Sequence, residues 1–215
     1  MNIVLNVLLS VVSVVIALIA IYQTQKQIKL SNTQQLFDRR LEKYMIIKDL
    51  LTLFSNNKKF VVENKALIKD VVLQFNWLTN VTYLTDMIIA VSDALNSEKQ
   101  NILLSKCEML EKYAIEIGVL WKDETGEVFS RFVRTYKEML FKMYQQQKSI
   151  NTYREINEKQ NGIVELMIIG DELEDRLLEI AKKLALFETI QDLDYLYNKI
   201  VDENLEQQLI KSLEL

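Results

Sequence analysis

The chain opens on an apolar block and then settles into a helical rhythm. From Ile3 to Tyr22 it reads IVLNVLLSVVSVVIALIAIY, broken by three plainly polar residues, Asn6, Ser10 and Ser13, and the first 25 positions hold no charged side chain. Twenty residues at a rise of 1.5 Å reach about 30 Å, the hydrocarbon thickness of a bilayer. A cleaved signal peptide would carry a basic start, a shorter apolar core and a small-x-small exit. The start here is uncharged, and the exit Ile21-Tyr22-Gln23-Thr24-Gln25 offers no such site. The expectation is an uncleaved transmembrane anchor over residues 1–25, with its span at about 3–22.

After the anchor, apolar residues recur every three or four positions. Ser31 and Gln34 match a capping box, and Phe37, Leu41, Tyr44, Ile47, Leu51 and Phe54 form a stripe that predicts a juxtamembrane helix over 26–56, ended by Ser55-Asn56-Asn57. A bundle over 57–215 follows. Leu67, Val71, Phe75, Leu78, Val81, Leu84, Ile88, Val91 and Leu95 imply one long helix, and Ser97 with Gln100 caps the next, which carries Leu103, Leu110, Tyr113, Ile117 and Leu120 and ends near Asp123–Gly126. From Glu127 a helix presents Val128, Phe132, Tyr136, Leu140 and Met143. The run Gln145-Gln146-Gln147-Lys148 either extends it or frays, Thr152 with Glu155 marks a restart, and Asn161-Gly162 marks a cap or loop. Asp171 with Glu174 starts a helix bearing Leu173, Leu177, Ile180, Leu184 and Phe187, and two terminal helices cover about 190–201 and 203–213. No stretch sustains period-two alternation, so the expected fold is all-α: an N-terminal transmembrane helix followed by a cytoplasmic multi-helix bundle.

Composition narrows the chemistry. The 215 residues include no proline, no histidine, four glycines and one cysteine, which leaves few helix breakers and excludes histidine triads, histidine-ligated metals and internal disulfides. A net charge of −4 predicts no nucleic-acid partner. Charge is uneven, however: residues 26–162 carry 21 basic and 17 acidic side chains, and residues 163–215 carry 5 and 13. These charges either lie on solvated helix faces, or the acidic end docks on a basic partner or on the chain's own basic half.

Basic residues follow the span, Lys26, Lys29, Arg39 and Arg40 among them, so the large domain is expected in the cytoplasm and the N-terminus outside, in a bacterial inner membrane. The lone Cys107 agrees with a reducing compartment. Within the block, Asn6, Ser10, Ser13, Ala17, Ala20 and Thr24 are spaced 4, 3, 4, 3 and 4, the alternation of a left-handed helix-packing seam. In lipid, small residues and interhelical hydrogen bonds drive helix association, so this seam predicts a homo-oligomer; in a sharper variant Asn6, Ser10 and Ser13 line a pore. Were the chain to bend at Ser31, Lys26, Lys29, Arg39, Arg40 and Lys43 would reach anionic headgroups; otherwise Asp38 and Glu42 pair with them locally.

No catalytic motif is present. Walker, dinucleotide and GxSxG patterns are absent, and Gly118, Gly126, Gly162 and Gly170 are too scattered to cradle phosphates. Two constellations carry the alternatives. Asp171 and Asp175, with Glu172 and Glu174, are the candidate set of a metal-dependent hydrolase; Arg131, Arg134, Tyr136 and Lys137 are the candidate liners of a small-ligand site between helices. The leading expectation is non-enzymatic, with no cofactor and no catalytic or metal residue: an interaction protein whose partners are the bilayer, further copies of itself and a cytoplasmic protein.

The short uncharged span, the Gln-rich exit and then QQLFDRRLEKY resemble uncharacterised bacterial single-pass membrane proteins over about residues 1–50. Some proteins of that architecture are encoded in antiphage systems in which a membrane-anchored partner is the damaging effector. The resemblance therefore implies an antiviral, membrane-disrupting role.

Overall fold

The computed structural model describes the backbone of residues 2–62, 67, 69–160 and 169–213, and the side chains of 8, 9, 12–62, 67, 69–156 and 173–213. Its elements are all helical: α1 (Asn2–Val62), α2 (Val72–Leu78), α3 (Met87–Ser92), α4 (Ser97–Leu120), α5 (Glu124–Gln160), α6 (Ile169–Lys183), α7 (Leu186–Asp202) and α8 (Leu205–Lys211). The all-α class is as expected. Among the described residues no helix is long and apolar enough to cross a membrane. The expected span is thus not found there, although the side chains of Asn6, Ser10 and the rest of residues 1–7, 10 and 11 lie outside the description.

Helix α1 runs 61 residues without a break, about 90 Å at 1.5 Å per residue. It continues through both Ser31, the expected start of a new helix, and Ser55–Asn57, the expected stop. The reason is local. The chain has no proline, and its first glycine is Gly118. Polar side chains also return to their own helix instead of capping one: Thr52 Oγ1 donates to the Lys48 carbonyl (2.8 Å) and Asn57 Nδ2 to that of Leu53 (2.8 Å). The predicted stripe along α1 is buried from Tyr44 onward; Phe37 and Leu41, 37% and 38% exposed, stand where the bundle has not yet begun.

The long helix expected from Leu67 to Leu95 is instead α2, a reversal and α3. The stripe positions Leu67, Val71, Phe75, Leu78, Val81 and Leu84 still pack inward, but the sequence Leu78-Thr-Asn-Val-Thr-Tyr-Leu-Thr85 is rich in β-branched and Asn residues that hold helix poorly. Thr79 Oγ1 donates to the Phe75 carbonyl (2.9 Å), and the phenol of Tyr136 donates to the Leu78 carbonyl (2.7 Å), so the freed end of α2 is satisfied from inside the core. The cap of α4 is Asn96, one residue before the expected Ser97: its Oδ1 accepts from the Glu98 and Lys99 amides.

Helix α5 passes through the glutamine run and through Thr152, whose hydroxyl back-bonds to the Lys148 carbonyl (2.9 Å), so no restart occurs. Far from fraying, Gln146 and Gln147 are buried. Gln147 Oε1 accepts from the Val71 amide at the start of α2 (3.0 Å), and Gln146 Nε2 donates to the Leu177 carbonyl of α6 (3.2 Å). The helix expected to run from Leu173 to Phe187 turns at Leu184–Ala185, so Phe187 belongs to α7. The expected loop at Asn161-Gly162 lies outside the described residues.

Helix α5 is the axis of the bundle, flanked by α4, α7 and the lower half of α1. Phe54, Phe75, Phe129, Phe132, Tyr136 and Tyr144 fill its centre, with Phe54 and Phe132 edge to face at 6.4 Å between centroids. The charge asymmetry finds partners within the chain: Lys58–Asp194 (2.6 Å), Lys69–Glu174 (2.7 Å) and Lys48–Glu206 (3.3 Å) each join the basic half to the acidic end.

Between α4 and α5 the Glu111 carboxylate accepts from Lys137 Nζ (2.6 Å) and Arg134 Nε (3.0 Å). The bond from Lys137, helped by that from Arg134 and opposed by burial, lowers its pKa below the ordinary glutamate value. A carboxyl whose folded pKa is depressed stabilises above its unfolded pKa and loses that contribution as pH falls through the folded one. Glu111→Gln is therefore expected to melt below wild type at pH 7, with the gap closing towards pH 3 in thermal denaturation. A gap that does not change with pH would show that the clamp acts by packing rather than by charge.

Candidate functional site: the exposed upper half of helix α1

The feature that stands apart from the bundle is the first half of α1. Every described side chain from Leu8 to Gln35 is exposed. Leu8, Leu9, Val12, Val14, Val15, Ile16, Leu18, Ile19, Ile21 and Tyr22 are 45–69% exposed and point in all directions around the axis. A helix apolar all round is ordinarily found covered. No other described element of this chain covers it.

Of the seam, Asn6 and Ser10 have side chains outside the described residues, and Ser13, Ala17, Ala20 and Thr24 are exposed along one face. Ser13 Oγ donates to the Leu9 carbonyl (2.9 Å) and Thr24 Oγ1 to that of Ala20 (2.8 Å). Each hydroxyl proton is thus satisfied within the helix, which lowers the cost of placing it in an apolar medium and leaves the oxygen free to accept from a neighbour. At about 100° per residue, Leu50 and Phe54, which face the bundle, lie roughly 120–160° around the axis from Ala20. Helices paired through the seam would therefore hold their bundles on the outside of the pair.

The five basic residues divide. Lys26, Lys29 and Arg39 are exposed. Arg40 and Lys43 are turned into the bundle and hold it together. The Arg40 guanidinium donates to the Ser212 carbonyl (2.9 Å) and the Leu120 carbonyl (3.2 Å), where α8 and α4 end, and sits 5.9 Å from the Trp121 ring. One cation thus caps two helix C-termini. Lys43, 6% exposed, pairs with Glu42 and Glu116 (both 2.7 Å) and lies 4.2 Å from the centre of the Tyr113 ring. Burial alone would depress its ammonium pKa, but the hydrogen bonds to Glu116 and Glu42 outweigh burial and raise it. With α1 unbent at Ser31, Arg39 stands about 25 Å along the axis from Tyr22, several Debye lengths away, whereas Lys26 and Lys29 stand within about 11 Å.

Among the described residues the other two constellations are not brought together. Asp171 and Glu172 have side chains outside the described residues, Asp175 is exposed and Glu174 pairs with Lys69; among the described residues no group of three acidic or sulfur side chains is set to hold a metal. Tyr136 is fully buried with its hydroxyl on the Leu78 carbonyl, Arg134 and Lys137 are taken by Glu111, and Arg131 is exposed. Lys137 lines a recess of about 480 Å³ together with Leu104, Cys107, Glu111 and Phe141. Burial pushes the Cys107 thiol up to about 11, leaving it a poor nucleophile at neutral pH.

Arg40 with Trp121, and Gln146 with Gln147, are the structural residues that sequence reasoning missed, because their partners lie 31–172 positions away. No protein-family model matches this chain, and neither does a curated protein or a solved structure.

Proposed function

We propose that the protein is a membrane-anchored, non-enzymatic interaction protein that inserts the upper half of α1 into a bilayer and self-associates there through the seam from Asn6 to Thr24. The observation that carries this reading is the set of large apolar side chains described between Leu8 and Tyr22, left uncovered by the bundle. Lipid on most faces and a second α1 on the seam would cover it. Lys26 and Lys29 then lie at the headgroup level with Tyr22, on the cytoplasmic side by the excess of positive charge that follows the span. The unbroken α1 makes anchor and bundle one rod, so assembly in the membrane sets the spacing of the cytoplasmic domains.

A specific form of this proposal follows the resemblance noted above: an antiphage effector whose clustering disturbs the membrane. Crosslinking of the full chain in membranes should trap dimers or larger species. Asn6→Leu with Ser10→Leu and Ser13→Leu should reduce them about tenfold, the loss of roughly 1.4 kcal/mol of interhelical hydrogen bonding. The same triple variant should abolish toxicity on overexpression. Unchanged crosslinking would remove the seam as the contact, and full toxicity with lost crosslinking would separate clustering from membrane damage.

A further inference from the structure

We infer that the recess between α4 and α5 is a binding site for a small organic cation with an apolar body, of the arylalkylammonium class. This stands independently of any membrane role. The recess encloses about 480 Å³, within the range of small-molecule sites. Leu104 and Cys107 of α4 and Phe141 of α5 give it an apolar lining. From Leu104 to Glu111 is seven residues, or about 10 Å along α4. That length matches an aryl ring with a short chain. A helix is 10–12 Å across with its side chains, so two turns of one displace about 850 Å³ or more. The space therefore favours a small molecule over a docked helix of a protein partner.

Charge sets the sign of the ligand. Glu108, Glu111 and Glu138 line the recess, against Lys137 and Lys142. Both cations are already engaged. Lys137 Nζ donates to the Glu111 carboxylate (2.6 Å), and Lys142 Nζ donates to the Thr189 hydroxyl (2.5 Å) and the Ala185 carbonyl (3.3 Å). Among the described residues Glu108 and Glu138 form no ion pair, and they belong to opposite walls, one on α4 and one on α5. An anion would have to take a lysine from Glu111 or Thr189. A cation instead meets two carboxylates that have no counter-charge, beside a lining that shelters its apolar body.

Titration of the purified full-length chain in lipid nanodiscs with phenylbutylammonium tests this, with phenylbutyrate as the anion of the same body. Cys107 lines the recess and is the chain's one cysteine, so its alkylation by iodoacetamide at pH 9, read by mass spectrometry, reports on this site alone. The ammonium should slow alkylation at least about fivefold at saturation, and the carboxylate should leave it unchanged. Glu108→Gln with Glu138→Gln should raise the half-protecting concentration about tenfold. Leu104→Trp, at a side chain 36% exposed, should abolish protection by filling the recess. All samples share the same lipid, so partitioning of the probe cancels in these comparisons. Calorimetric titration of the same samples reads binding directly, whatever the reactivity of Cys107. Equal protection by phenylbutyrate, no binding of the ammonium, or undiminished affinity in the double-glutamine variant overturns the assignment. So does alkylation that slows with protein concentration alone, which would give the recess to a second copy of the chain.

Discussion

Gly126→Ala is expected to destabilise the bundle by about 3 kcal/mol or more, a large share of the roughly 5–15 kcal/mol that holds a domain of this kind folded. Helix propensity alone argues the other way, since alanine exceeds glycine by about 1 kcal/mol in a helix interior. Space decides the sign. A Cβ on Gly126 would lie 2.0 Å from the Trp121 carbonyl oxygen and 2.6 Å from the Trp121 Cβ. Neither atom can swing aside. Trp121 is 3% exposed, its amide donates to the Ile117 carbonyl (3.0 Å), and its indole N–H donates to Ser212 Oγ (2.6 Å). Gly126 is itself held, its N–H donating to Asp123 Oδ1 (2.8 Å) in the tight turn between α4 and α5. Relief must therefore move the start of α5 or the end of α4, and the latter also disturbs the Arg40 cap.

Gly118, eight residues earlier, makes the comparison internal. A Cβ there meets Ser130 Oγ at 3.5 Å, an ordinary contact. Gly118→Ala should therefore stabilise by up to about 1 kcal/mol. Urea denaturation of both variants reads the two signs in one experiment. Equal and small effects at both positions would mean that α4 and α5 do not meet as closely as Gly126 requires.

What the sequence makes legible here is burial, and what it hides is where helices turn. Leu67, Val71, Phe75, Leu78 and Leu84 were marked by spacing as core positions, and all are buried. Spacing could not tell one helix from two, because a stripe stays in phase when the chain folds back on the same core. The punctuation was ambiguous for a chemical reason. Serine, threonine and asparagine cap helices, yet within a helix they bond as readily to the carbonyl four residues back, as Thr52, Asn57 and Thr152 do. Real turns at Thr79–Asp86 and Leu184–Ala185 carry neither glycine nor proline. The glutamine run stayed open between extending the helix and fraying in water because an amide is expensive to bury without a partner. The Val71 amide and the Leu177 carbonyl that make their burial tolerable are brought near only by the fold. Arg40 and Lys43 were open between headgroup contact and local pairing: the Lys43–Glu42 pair does form, but the sequence could not show that Arg40 also joins α1 to α4 and α8 or that Lys43 joins it to α4. The candidate site fared differently. The apolar character of the stretch belongs to one helix and was readable before any tertiary contact was known, whereas its lack of cover by the bundle is seen only in the fold.

That independence makes the largest prediction a clean one. Ile16→Lys together with Ile19→Lys places two charges in the middle of the apolar stretch, at side chains 62% and 52% exposed that the bundle does not touch. In a bilayer each costs about 2.5–3.5 kcal/mol at the centre of a helix. Two such charges together disfavour insertion by roughly 10⁴-fold. Ultracentrifugation of lysed cells should then find wild type in the membrane pellet and the double-lysine variant in the supernatant, while Ile16→Leu with Ile19→Leu stays in the pellet. The bundle is a built-in control, because neither substitution alters a packed residue and the melting of the main core should be unchanged. Loss of pelleting with an intact melt assigns the apolar surface to lipid. Wild type in the supernatant, or a double-lysine variant that pellets as before, would assign it instead to protein, with a second copy as the next occupant to test by crosslinking in solution.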